Sequence, residues 1–301
     1  MIIENFKKSK QPIESETCPM SPVADPNCTL SSDLALLPHH RESIIRMLEH
    51  LSGEPGLLAV ILGGSVAKGK ARPDSDLDAM VVIRDEAYAK RLEQNAISEC
   101  VVNKCTYEKG YFDLKFFPVS YLLEAAERGS EPTRNSFKST KLLHSTDPRI
   151  DQNLIERIAA YPEKEVAQKI VSFYSALSFA TGFFWGESKK RNNIYLRTRC
   201  ASDATLFGLR LLLVHNRILF PCQKWLLDAV AQCPEKPEGI IELASAFLRE
   251  PTDESMVAFR DAIVGFRDWG PIQNDFAHRL STVVQDQEQW WWNGRPNVVE
   301  W

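Results

Sequence analysis

Three aspartates and a glycine turn are the residues of this chain whose types and spacing suit chemistry. Gly63-Gly64-Ser65 is followed, after ten intervening residues, by Asp76-Leu77-Asp78, and Asp113 stands later between Phe112 and Leu114. Side chains two apart on a strand project to the same face, so an extended segment puts Asp76 and Asp78 side by side. Carboxylates held that close are costly unless a cation lies between them. Magnesium, with its preference for carboxylate oxygen, fits such a pair in one- or two-ion form. A glycine turn lets backbone N–H groups come close to an anion, and Ser65 adds a hydroxyl donor. An anion cradle beside a divalent-metal site is the equipment for transfer from a nucleoside triphosphate.

Each part has a bland counterpart. A glycine pair after a strand is often only a turn, an acid–x–acid triplet is often a solvated loop edge, and Asp113 suits a solvent-facing acid on an edge strand. The argument rests on their occurring together and in order.

The elements that must carry these residues can be read from the pattern. Leu57 to Leu62 is a short apolar block that suits a strand buried on both faces. Val66-Ala67-Lys68 suits a brief helical turn, and residues 69–75 (GKARPDS) form a loop by composition. Leu77 to Ile83 is a second apolar strand with the two aspartates at its start, and Glu86 to Ile97 has helical character. Cys100 to Tyr107 and Tyr111 to Phe117 form the arms of a hairpin around Glu108-Lys109-Gly110. The second arm alternates, with Phe112, Leu114 and Phe116 on one side and Asp113, Lys115 and Phe117 on the other. If it pairs beside Leu77–Ile83, all three acids converge. Leu37 to Leu51 and Ser120 to Arg128 suit helices, and Lys141 to His144 a last strand.

Beyond residue 150 the pattern turns helical. Val166, Ile170, Tyr174, Leu177, Thr181 and Phe184 recur at four- and three-residue spacing, which marks one helical face. Residues 204–218, 223–231, 239–248 and 255–269 read as further helices. The fold class expected is therefore α/β: a small mixed-sheet domain over 31–150 followed by an α-helical bundle domain over 151–301, with a loosely ordered leader over 1–30. Arg217 and Lys224, with Asn216, bracket a proline turn where they can meet a triphosphate or an acceptor; the alternative is that they cap helices and face water. Lys189-Lys190-Arg191, followed by Tyr195, Arg197 and Arg199, reads as a solvated helix end, with a cleft wall that attracts phosphate as the other reading. Trp290-Trp291-Trp292 cannot share one helical face, which suits docking on the first domain or a second subunit, with stacking on a base or sugar as the other reading.

The composition narrows the partners. Among 301 residues the net charge is −4, which argues against a broad nucleic-acid surface, and 44% hydrophobic residues suffice for sizeable cores. No run reaches the roughly 18 apolar residues that cross a membrane, and the first residues lack the apolar stretch of a secretion signal. Seven scattered cysteines without a C-x-x-C pair read as free thiols in a reducing cytoplasm. The histidines show no zinc-ligand spacing.

The order Gly64-Ser65, a ten-residue gap, Asp76-Leu77-Asp78 and a later strand-borne Asp113 resembles the DNA polymerase beta-like nucleotidyltransferase superfamily. The resemblance spans residues 57–117 and extends in layout to small-molecule members, of the aminoglycoside and lincosamide type, in which a helical part shapes the acceptor pocket. It implies that Gly63, Gly64 and Ser65 hold the triphosphate, that Asp76 and Asp78 hold Mg²⁺, and that Asp113 is a third ligand or the base for the acceptor hydroxyl. Arg217 and Lys224 are the nucleotide-side candidates from the helical half. The function expected is Mg²⁺-dependent transfer of NMP, AMP foremost, to a hydroxyl of a small molecule such as an aminoglycoside-like antibiotic. The rival expectations are AMPylation of a protein or addition to an RNA end, and a nucleotide-binding regulator without turnover.

Overall fold

The computed structural model describes residues 36–301. The leader expected over 1–30, and the first residues of the expected sheet domain, lie outside the described residues.

A five-stranded mixed sheet in the order β3-β4-β2-β1-β5 carries the first part of the chain. Its strands are β1 (Leu57–Leu62), β2 (Leu77–Ile83), β3 (Ser98–Val102), β4 (Tyr111–Pro118) and β5 (Lys141–Ser145). The continuous apolar run of β1 has a simple cause: it lies between β2 and β5, and both its faces are covered. Leu57, Val60 and Leu62 join Leu77, Val81 and Phe112 under α1 (Pro38–Leu51), whose Ile44, Met47 and Leu48 are buried against them. Leu58 and Ile61 face the opposite way, toward α4 (Val119–Arg128), α5 (Glu131–Phe137) and α6 (Gln152–Ala159). Both cores exclude water from the sheet, so a strand with a polar inward side would not fit. The chain passes from these cores to the helical one through residues 160–165, beyond Ala159.

Between β1 and β2 lies α2 (Gly64–Ala67), a single turn, and between β2 and β3 lies α3 (Asp85–Glu93). This last helix stops short of the expected Ile97. Asn95 takes a left-handed φ of 54°, which ends the helix and frees Ser98 to start β3. The hairpin is also shorter on its first arm than expected: β3 ends at Val102, opposite Tyr111, and residues 103–110 form a loop with left-handed Asn103 and Lys109.

The helical half comprises α7 (Val166–Thr181), α8 (Phe183–Lys190), α9 (Ile194–His215), α10 (Leu226–Ala231), α11 (Ile240–Arg249), α12 (Asp253–Val264), α13 (Phe276–Val283) and α14 (Trp290–Asn293). Helices α7 and α9 form its spine, with Phe173, Leu177, Phe207 and Leu211 buried along their contact. Phe184 does not continue the face of α7, as the spacing suggests; the chain bends at Gly182 and Phe184 belongs to α8. Helix α9 starts ten residues before the expected 204, capped by the Asn193 side chain on the Leu196 N–H. Helix α12 ends at Val264, ahead of the expected 269.

A buried charge network ties the two halves. Glu131, at the first turn of α5, accepts from Lys169 Nζ of α7 at 2.6 Å and from the Phe220 N–H at 2.6 Å. Arg210 of α9 lies 3.9 Å from the same carboxylate and donates to the Val298 and Val299 carbonyls and to that of Trp301. Glu131 and Lys169 are each about fully enclosed, which is tolerable only because each charge has its partner.

Candidate active site

Strand pairing decides the arrangement of the acids. Strands β2 and β4 run parallel with Asp78 opposite Asp113, so the two carboxylates stand side by side on one face at the same end of the sheet. Asp76 precedes β2 by one residue and reaches the same point. One ligand atom from each of Asp76, Asp78 and Asp113 can be chosen so that all lie within 4.8 Å of one another, and all three residues are half-buried. The convergence that the sequence made conditional on strand pairing is what the sheet delivers.

The glycine turn closes over this group. Gly63 donates its N–H to the Asp78 carbonyl at 2.9 Å, which pins the turn to β2. Gly64 has φ of 65°, and a Cβ there would land on the Asp78 carboxylate. Glycine is therefore required twice over, for conformation and for space. Helix α2 begins at this residue, with its first internal bond from Ala67 N–H to Gly63 O. The N–H groups of Gly64, Ser65 and Val66 precede that bond, so the helix itself gives them no acceptor. Ser65 sits among them, half-buried.

The electrostatics match a cation site. Burial pushes the Asp78 carboxyl above its ordinary range, and the charges of Asp76 and Asp113 push it further; Lys115 and Lys68 offset part of this. Lys115 Nζ donates to Asp113 Oδ2 at 3.0 Å. A divalent cation among the three acids would relieve the repulsion that these shifts record. Three carboxylates, all oxygen donors in one small volume, fit Mg²⁺ rather than a softer metal.

Sequence reasoning missed the groups that steady this triad. The Tyr111 hydroxyl, at the first residue of β4, stands beside the Asp76 carboxylate, and that interaction, with burial, pushes the phenol up to about 12. Tyr107 donates its hydroxyl to the Ser75 carbonyl at 2.5 Å, fixing the loop just before Asp76. His39 reaches the same loop at the Pro73 carbonyl, 3.1 Å away. A tyrosine at a strand end carries no signal in sequence that distinguishes it from a packing residue, so only the contacts could identify these.

The residues from the helical half are engaged elsewhere. Arg217 donates to the Val214 and His215 carbonyls, closing the C-terminus of α9, and pairs with Glu163 at 2.9 Å. Lys224 lies 5.0 Å from the ring centre of Trp225. The contacts of Arg217 are those of the cap-and-solvent alternative, and none of these contacts of Arg217 or Lys224 is with the triad. Lys190 and Arg191 pair with Glu187 and Lys189 with Asp253, as a solvated helix end does. Of the aromatic cluster, Trp291 and Trp292 are 70% and 74% exposed, so they do not dock on this chain's sheet domain; one four-residue helical turn points them outward.

A sheet with a glycine-serine turn after one strand, an acid on each of two adjacent strands and a third acid immediately before one of them is the arrangement of a nucleotidyltransferase domain. Residues 42–119 match the nucleotidyltransferase domain family, and the resemblance to the DNA polymerase beta-like superfamily is thereby borne out. Among solved structures, a nucleotidyltransferase-like protein from Exiguobacterium sibiricum 255-15 is similar with 12% identity and a TM-score of 0.46, covering 84% of this chain and 78% of that one. The spectinomycin adenyltransferase AAD(9) from Enterococcus faecialis is similar with 17% identity and a TM-score of 0.31, covering 74% and 98%. At these values neither neighbour adds to the assignment. No curated protein matches the sequence.

Proposed function

We propose that the protein transfers NMP, AMP foremost, from a nucleoside triphosphate to a hydroxyl of a small molecule and releases pyrophosphate, with Mg²⁺ held by Asp76, Asp78 and Asp113. The single observation that carries this is the convergence of the three carboxylates within 4.8 Å of one another beneath the glycine turn. The bound Mg²⁺ would neutralise charge on the phosphates and on the acids around it.

The chain's own residues do the rest. The Gly64, Ser65 and Val66 N–H groups and the Ser65 hydroxyl receive phosphate oxygens where no Cβ obstructs them. Gly63, bonded to Asp78 O, keeps that cradle in register with the acids. Tyr111 and Tyr107 hold Asp76 and its loop, so the carboxylates need not reorganise when the donor binds. The acceptor oxygen attacks the α-phosphorus, the bond to the pyrophosphate oxygen breaks, and the acceptor proton leaves to Asp113 or to solvent. A net charge of −4 favours a small acceptor over a polyanionic nucleic acid.

The test mixes protein, Mg²⁺, each NTP and a panel of hydroxyl acceptors, aminoglycosides included, and follows pyrophosphate and product mass. Asp76→Asn and Asp78→Asn should each lower turnover by at least about 100-fold. Release that continued unchanged in both variants would remove the assignment. A mass gain of one nucleotide on a protein would move the acceptor to the AMPylation class, and NTP binding without any product would leave a regulator. Asp113→Asn separates two roles: lost Mg²⁺ affinity marks a ligand, and retained affinity with lost turnover marks a base.

A further inference from the structure

Strand β4 carries a cation beside its aspartate. Lys115 follows Asp113 by two residues, so the two side chains stand on the same face of the strand. Lys115 Nζ donates to Asp113 Oδ2 at 3.0 Å. The residues that flank Lys115 across the sheet are Met80 on β2 and Ser98 on β3, and neither carries a charge. The ammonium therefore turns along its own strand toward the acids. Its influence reaches past Asp113: of the two lysines that offset the rise of the Asp78 carboxyl, Lys115 acts more strongly than Lys68. The proposed transfer gives this lysine no part.

Its surroundings fit it for exchange rather than for structure. The Lys115 side chain is 52% exposed, so the pair adds little to stability and the ammonium can leave without opening a core. The carboxylate it holds is one of the three whose oxygens gather within 4.8 Å of one another. An ammonium against Asp113 and a divalent ion among the same acids repel each other at that range. Three carboxylates and one ammonium leave two net negative charges, which a single divalent cation cancels.

We propose that Lys115 is the resident counter-ion of the triad and competes with Mg²⁺ for Asp113. Asp76 and Asp78 then take the ion first, and Asp113 joins them only as the ammonium leaves. Lys115 is thus a positioning residue that acts through Asp113, and it lowers the affinity of the empty site for metal. The inference rests on the assignment of the triad as a Mg²⁺ site and is independent of the acceptor.

Titration calorimetry with Mg²⁺ alone, on the full chain in nucleotide-free buffer of low ionic strength, tests this. Lys115→Met removes the charge and keeps most of the side-chain length. It should bind Mg²⁺ at least about threefold more tightly than the wild type. Lys115→Arg keeps a cation beside Asp113 and should stay within about twofold of the wild type. Added salt should narrow the gap between Lys115→Met and the wild type, as it does for exposed charges. A lysine that merely braced Asp113 would act the other way, and its loss would weaken Mg²⁺ binding. Wild-type binding with an affinity unchanged or lowered in Lys115→Met overturns the proposal and leaves the triad as the Mg²⁺ site. So does a Lys115→Arg affinity as high as that of Lys115→Met, since charge is then not the cause. Absence of Mg²⁺ binding in every one of these proteins removes the metal assignment and the proposal with it. Lys115→Gln, which also removes the charge, serves should Lys115→Met not fold.

Discussion

At the scale of single residues, the site is built on a conflict of charge that a divalent cation would relieve. Asp78 is held with its carboxyl above the ordinary range by burial and by two neighbouring acids. A raised carboxyl contributes stability that is present at low pH and is lost as pH rises through its folded value. In metal-free buffer the protein should therefore gain stability from Asp78→Asn, by an amount of order 1 kcal/mol that fades as pH falls below the carboxylate range. Thermal melts of both proteins in EDTA across pH 4–8, by order of magnitude the window the carboxylate titration spans, check the sign. Added Mg²⁺ should raise the melting temperature of the wild type and not of the variant. Gly64 is the other decisive residue. Gly64→Ala puts a methyl onto the Asp78 carboxylate at a left-handed φ; we expect a loss of about 1–3 kcal/mol in urea unfolding together with loss of nucleotide binding.

At the scale of elements, the parallel pairing of β2 with β4 does the assembling. It sets Asp78 against Asp113, and it brings Tyr111, the first residue of β4, to the Asp76 carboxylate. Tyr111→Phe keeps the ring and removes only the hydroxyl. Its Mg²⁺ affinity should fall by about tenfold, in the range seen when a partner of a metal ligand is lost, with the unfolding midpoint nearly unchanged. Equal Mg²⁺ affinity in Tyr111→Phe would show that Asp76 is positioned without it. The loop before β2 depends on contacts that are distant in sequence, since Tyr107 and His39 both bond its carbonyls.

At the scale of the whole molecule, the two halves meet through buried charge as well as apolar packing. Glu131 holds Lys169 and the Phe220 N–H and stands near Arg210, and burial brings the Arg210 guanidinium down to about 10. Without the Glu131 charge, Lys169 keeps Glu165 at 2.9 Å and Arg210 keeps its three backbone carbonyls, so the loss falls on the Lys169 and Phe220 N–H bonds to Glu131. Glu131→Gln should cost about 1–3 kcal/mol, seen as a lower urea midpoint. Glu131 has no part in the triad, so the fraction that remains folded should still bind Mg²⁺. No described helix is long and apolar enough to cross a membrane.

Much of the donor half of the site was legible in the sequence because it is local. A glycine turn and an acid triplet lie within sixteen residues of one another, and the apolar runs on either side have the length and composition of strands whatever surrounds them. The ends of elements were less legible, since Asn95 and Gly182 break helices through backbone conformation that a hydrophobic period does not register. Asp113 could be suspected from its apolar neighbours, but its place depended on which strand β4 would join. Tyr111, Tyr107, Lys115 and the Glu131 network had no sequence signal, because their roles arise from contacts between segments far apart in the chain. The sequence alone thus determined that an anion cradle and a pair of carboxylates occur together. Only the tertiary structure decided that a third carboxylate joins them, because a parallel strand pairing has no local code and is selected by burial on both faces of the sheet at once.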